Sequence, residues 1–310
     1  MNQANIAGRL AGRTCVVTGA TGIAEAAATR LAPHGAAVFV VSQTEEHCAS
    51  LALRIERAGG RSGFAAADLR DAQATWSAID ACVRTFGRID GLFAVAGGSG
   101  RRFGDGPVHE LTAEGWDATL ALNLRTQALV CREVVRRMLG QEPTEAGSRG
   151  SIVLTSSVLA THPVPELFAT HAYAAAKGGV IALARAMAAM YAAERIRVNV
   201  VSPGLTATPM ARRAAADPVT VEFARRKQPL VGGFLDPDEV AHAAAYLLSD
   251  ESRAVTGQVL EVDGGWSVVA APATSGPATA VPIAETTAEA TAAEATTPEV
   301  APALEREPHR

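Results

Sequence analysis

The chain has 310 residues, of which 48% are apolar and 19% charged, and its formal net charge is −4. This composition excludes global disorder and a collagen-like fold, and it supplies enough apolar side chains for a sizeable core. A slightly acidic chain has no electrostatic footprint for nucleic acid or an anionic membrane surface, so neither partner is expected.

The opening residues MNQANIAGRL lack the pattern of a secretory signal. The most apolar stretch, 180–193, is interrupted by Arg185, so no membrane span is expected. Cys15, Cys48, Cys82 and Cys131 have no C-x-x-C spacing, which predicts reduced thiols and no metal site. Together these features predict a soluble, cytoplasmic protein.

Along the chain, short apolar runs rich in Val and Ile fall at 14–18, 37–42, 91–96, 151–156, 197–202 and 258–262. Each is continuously apolar rather than alternating, as strands buried on both faces of a parallel sheet are. Stretches of helical length lie between them, at 25–32, 45–58, 73–86, 115–139, 173–194 and 238–248. This rhythm predicts an α/β fold, a Rossmann-type doubly wound parallel sheet in a single domain over residues 1–269. From residue 270 to 310 the composition turns to Ala, Thr, Pro and Glu, which predicts a disordered tail.

The first predicted strand runs into Thr18-Gly19-Ala20-Thr21-Gly22-Ile23-Ala24 and then a helix. Glycines at such a junction let the backbone approach a pyrophosphate, whose charge the helix N-terminus favours. Gly19, Thr21, Gly22 and Ile23 are therefore candidate cofactor-binding residues. The second strand ends at Ser42-Gln43, without an acid to bind a ribose 2′-hydroxyl. The missing acid also removes repulsion against a 2′-phosphate, which favours NADP(H) over NAD(H).

Tyr173 and Lys177 stand four residues apart on one helical face. A phenol is a poor acid–base group at neutral pH, and a neighbouring ammonium is expected to lower its pKa. Ser156 and Ser157 end the fourth predicted strand, where ligands bind in such sheets. Asn123 sits among leucines in a helical stretch, which suggests a local reason for it.

With these residues assembled, the chain resembles the short-chain dehydrogenase/reductase family, in its single-domain branch of about 250 residues. The resemblance implies that Tyr173 is the proton donor or base and that Lys177 binds the nicotinamide ribose. It implies that Ser157, with Ser156 as runner-up, orients the carbonyl, and that Asn123 supports a water-linked proton relay to the lysine. It adds Asp68 and Leu69 at the adenine, Ala96 and Gly97 at the end of a strand, and Pro203, Gly204, Thr206 and Thr208 at the nicotinamide. The implied substrate is a small secondary alcohol or ketone, and the 3-oxoacyl-carrier-protein reductases are among the relatives to expect. The implied assembly is a homotetramer or homodimer through the helices at 115–139 and 173–194.

Three departures stand out. The glycine turn is one residue short, and Ala24 replaces its last glycine. The family's paired asparagines are Ala94 and Val95 here. The stretch from Ser157 to Tyr173 is long, which should reshape the pocket. It carries His162 and His171, each able to contact substrate or remain a loop residue. Arg101 and Arg102 follow the apolar run at 91–96, either pairing with an anionic substrate group or lying solvated. Residues 209–235 resemble a substrate lid. Two further readings use the same residues: a catalytically silent nucleotide-binding scaffold, or a cofactor-using lyase or epimerase.

Overall fold

The computed structural model describes residues 8–270. Beyond its first residue, the tail expected from 270 to 310 lies outside them. Seven strands form one parallel sheet in the order β3-β2-β1-β4-β5-β6-β7. They are β1 (Thr14–Thr18), β2 (Ala37–Ser42), β3 (Arg61–Ala66), β4 (Gly91–Ala94), β5 (Gly150–Thr155), β6 (Ile196–Pro203) and β7 (Val259–Val262).

Six of these were legible as apolar runs, whereas β3 was not. It is an edge strand paired only with β2, its sequence is RSGFAA, and its side chains are partly or fully exposed. Gly63 has a packing reason, because a Cβ there would come within 3.1 Å of the Phe39 ring.

Both faces of the sheet are covered. On one, α3 (Ala72–Phe86), α5 (Thr126–Leu139) and α7 (His171–Tyr191) pack over Val16, Phe39, Val41 and Ile152. On the other, α1 (Ile23–Leu31), α2 (Glu45–Arg57) and α10 (Pro237–Leu248) pack over Val17, Val38, Val40 and Val153. Successive side chains of a strand thus serve opposite layers, which is why these runs are continuously apolar.

The helix expected over 115–139 runs without a break over 113–139, with a π-helical turn at Ala121–Arg125 between α4 (Ala113–Leu120) and α5. The stretch from Ser157 to Tyr173 contains a short helix, α6 (Pro165–Phe168). The 209–235 segment contains α8 (Arg212–Ala215) and α9 (Pro218–Lys227). A separate apolar cluster of Val158, Val164 and Trp266 binds these segments to the turn that follows β7.

Candidate active site

A cavity of about 310 Å³ opens at the C-terminal ends of β1, β4, β5 and β6. Strand order reverses between β1 and β4, and ligands of doubly wound sheets bind beyond such a point. Of the catalytic and cofactor residues expected from the sequence, all line this cavity except Gly22, Ser42, Asp68 and Leu69. Ser42 ends β2, Asp68 and Leu69 follow β3, and the Leu69 side chain belongs to the core.

The glycine turn forms one end of the cavity. Gly19 has φ 96°, and a Cβ there would lie 3.0 Å from the Cβ of Ala24. The Ala24 methyl therefore fills the space beside a residue that must stay glycine. Gly22 has φ 58°, and a Cβ there would meet Thr208 Cγ2 at 3.0 Å. It also starts α1 without a side-chain cap, so first-turn N–H groups are left for a ligand. The exposed turn, the uncapped helix start and the adjoining cavity fit the pyrophosphate end of a dinucleotide.

The missing asparagines are compensated by Thr18. Its hydroxyl accepts from both Val95 N and Ala96 N at 3.0 Å, which holds the exit of β4. Beyond it, Asn123 clamps Gly98. Its Oδ1 accepts from Gly98 N at 3.0 Å, and its Nδ2 donates to Gly98 O at 2.9 Å and Thr119 O at 3.0 Å. Asn123 is fully buried in the π turn, a feature that often marks functional sites.

Tyr173 and Lys177 lie in the first half of α7. Lys177 is 3% exposed, its Nζ donates to Thr155 O at 2.9 Å, and it lies 5.6 Å from the Tyr173 ring centre. Ser157 hydrogen-bonds the Tyr173 side chain. Ser156 instead donates to the Lys177 carbonyl at 2.9 Å, so Ser157 is the serine at the tyrosine.

The expected depression of the tyrosine pKa is not found. Burial pushes Tyr173 up to about 12, and the Ser157 hydrogen bond opposes it. Burial pushes Lys177 down to about 8. Withdrawal from water penalises both charged forms, leaving Tyr173 a neutral proton donor.

Sequence reading missed three supporting residues. Gln127, 1% exposed, bonds Thr155 on both sides: Oε1 accepts from Thr155 N at 3.1 Å and Nε2 donates to Thr155 O at 2.9 Å. Nε2 also donates to Asn123 O at 3.2 Å. Asp105 accepts from Ala172 N at 2.9 Å and Tyr173 N at 3.0 Å, capping α7 from a distant loop. Trp266 is fully buried and donates to His162 O at 3.2 Å. No spacing in the sequence singles them out, because each acts on backbone groups of another segment.

His162 and His171 are outside the cavity lining. His171 Nδ1 accepts from Val108 N at 2.9 Å, and His162 Nδ1 meets Thr161 Oγ1 at 2.9 Å. The His171 bond joins the loop at Val108 to the start of α7, whereas the His162 bond is to its own neighbour. Arg101 lines the cavity, whereas Arg102 stacks on Phe103 at 4.5 Å. The second lysine, Lys227, donates to the Val269 carbonyl and anchors the end of the described chain.

Residues 17–267 match the family model described as Enoyl-(Acyl carrier protein) reductase. The chain is 38% identical to cis-4-hydroxycyclohexanecarboxylate dehydrogenase of Sinomonas cyclohexanicum, over 83% of this chain and 97% of that one. It is 36% identical to D-threitol dehydrogenase of Mycolicibacterium smegmatis, over 84% and 95%. Among solved structures, a short-chain type dehydrogenase/reductase from Mycobacterium ulcerans superposes with a TM-score of 0.76 at 29% identity, over 84% of this chain and 91% of that one. An actinorhodin polyketide ketoreductase with NADPH does so with 0.73 at 30% identity, over 84% and 99%. The parallel sheet agrees with these matches, and the chain belongs to the short-chain dehydrogenase/reductase family.

Proposed function

We propose that this oxidoreductase interconverts a small secondary alcohol and a ketone with NADP(H), using Tyr173 as the acid–base group. The carrying observation is that Tyr173, Ser157 and Lys177 meet in one cavity with the glycine turn. When bound, the nicotinamide supplies or accepts the hydride.

The chain's own residues do the rest. Gly19, Thr21, Gly22 and Ile23 hold the pyrophosphate with the α1 N-terminus. Ser42, Asp68 and Leu69 lie on the adenosine side. Ala96, Gly97, Pro203, Gly204, Thr206 and Thr208 flank the nicotinamide. Lys177 holds its ribose. Ser157 orients the substrate oxygen, to which Tyr173 gives a proton in reduction and from which it takes one in oxidation. Asn123 positions the β4 exit loop through Gly98.

NADP(H) is supported by the absence of an acid at Ser42-Gln43. Asp68 is itself paired with Arg70 at 2.7 Å, which weakens its repulsion of a phosphate. A relative is the 3-oxoacyl-[acyl-carrier-protein] reductase of Thermotoga maritima. Because the named relatives are dehydrogenases and reductases, neither a silent scaffold nor a lyase or epimerase is favoured.

In this reading residues 1–269 make one cofactor-binding domain. All four cysteines are buried free thiols, which supports a reducing compartment and hence the cytoplasm. Among the described residues no helix is long and apolar enough to cross a membrane.

The test is fluorescence titration with NADPH and NADH of the wild type and Tyr173→Phe. Both proteins should bind NADPH more tightly than NADH. Ketone reduction should fall about 10²- to 10⁴-fold in Tyr173→Phe. Failure to bind either cofactor, or full turnover by Tyr173→Phe, refutes the assignment.

A further inference from the structure

Two arginines line the cavity from different walls, and both are also exposed to solvent. Arg101, in the loop after β4, is held by donating to Leu167 O at 3.2 Å, on the α6 side of the pocket. Arg213 comes from α8, in the 209–235 segment. The apolar side chains of Leu159, Phe168, Leu205, Met210 and Trp266 also line the cavity. No Asp or Glu among the described residues lines it.

The arginines act on each other. Burial and the Arg213 charge both hold Arg101 below its ordinary pKa, and Asp105 opposes them. Two like charges at one cavity are unfavourable unless an anion joins them.

The carboxylates that act on this pair are committed elsewhere. Asp105 holds the Ala172 and Tyr173 N–H groups. Asp217, which feels Arg213, accepts from Val219 N and Thr220 N at 3.2 Å each and from Thr220 Oγ1 at 2.5 Å. Among the described residues, neither arginine has an ion pair.

Resting on the oxidoreductase reading above, we propose that Arg101 and Arg213 together bind an anionic oxygen group of the substrate. The preferred substrates are then secondary alcohols or ketones with a carboxylate or phosphate ester separated from the reacting carbon by a short apolar body. Ser157 and Tyr173 grip the reacting oxygen, while the arginines grip the far end. This two-point hold fixes which face of the carbonyl meets the cofactor.

The experiment measures kcat/KM with NADPH for two matched pairs. One is 4-oxocyclohexanecarboxylate against its methyl ester; the other is the phosphate ester of 4-hydroxycyclohexanone against 4-hydroxycyclohexanone itself. The anionic member of at least one pair should be favoured about tenfold or more, and the pair showing it identifies the group. That preference should shrink towards one in Arg101→Gln and in Arg213→Gln. If no ketone turns over, calorimetric binding of the same four compounds to the NADPH-loaded protein makes the same comparison.

Equal values within both pairs in the wild type, or a preference that survives both substitutions, overturns the proposal and leaves the oxidoreductase reading intact. An equal loss of NADPH affinity in both variants assigns the arginines to the cofactor and also overturns it. Absence of NADPH binding in the wild type is the separate failure of the underlying reading.

Discussion

Tyr173 and Lys177 are one helical turn apart, and burial moves their pKa values in opposite directions, to about 12 and about 8. At neutral pH the phenol holds its proton, as reduction requires, and the lysine keeps its charge. Above about pH 8 the lysine loses that charge and stops stabilising negative charge developing on the tyrosine. Reductive kcat/KM should therefore be level below about pH 7 and fall as pH rises through about 8. A profile level to pH 10 would contradict a role for Lys177 titration. Gln127 acts one step further out, as a positioning residue, through the carbonyl that Lys177 also uses. Gln127→Leu leaves Thr155 N and its carbonyl short of a partner. It should destabilise the protein by about 1–3 kcal/mol. The same variant should shift the alkaline limb of the pH profile, which a purely structural loss would not move.

At the scale of elements, the catalytic helix is capped from outside its own segment. The residue preceding α7, Thr170, makes no side-chain cap, and Asp105 takes the Ala172 and Tyr173 N–H groups instead. Asp105→Ala should cost about 1–2 kcal/mol of stability and lower the melting temperature by a few degrees. It should also reduce kcat, because one of the released groups is the backbone of Tyr173. Asp105→Asn should recover much of both, since Asn caps nearly as well as Asp. An unchanged melting temperature in Asp105→Ala would show the cap to be dispensable. Trp266 plays the matching part for the pocket wall. Its ring meets Phe168 at 6.1 Å and Phe223 at 5.4 Å, joining α6 to α9. The long Ser157–Tyr173 connection is therefore a packed wall rather than an open loop.

At the scale of the whole molecule, α7 presents Ala175, Ala182, Ala186 and Ala189 outward. Such a face would let another helix approach closely, as the homodimer or homotetramer implied by the family resemblance requires. Light scattering should give a dimer or tetramer mass for the wild type, and Ala182→Arg should reduce it. A monomeric wild type would refute the assembly. The same face lies opposite the buried side of the helix that carries Lys177, so loss of assembly is also expected to loosen the site.

The sequence by itself determined the doubly wound sheet, and it singled out a glycine turn and the Tyr173–Lys177 pair. Local signals carry these: continuous apolar runs, glycine at a strand–helix junction, and i, i+4 spacing. The edge strand β3 was not legible, because Arg61, Ser62 and Gly63 have no apolar signature and pairing with β2 alone makes them a strand. Nor was the π turn, since its extra residue serves to seat Asn123 against Gly98. Gln127, Asp105 and Arg213 gain their meaning from partners far along the chain, at Thr155, Tyr173 and Arg101. Only the tertiary structure decided that burial, rather than the neighbouring ammonium, sets the tyrosine pKa. Desolvation depends on everything packed around a group, and no spacing along the chain records that.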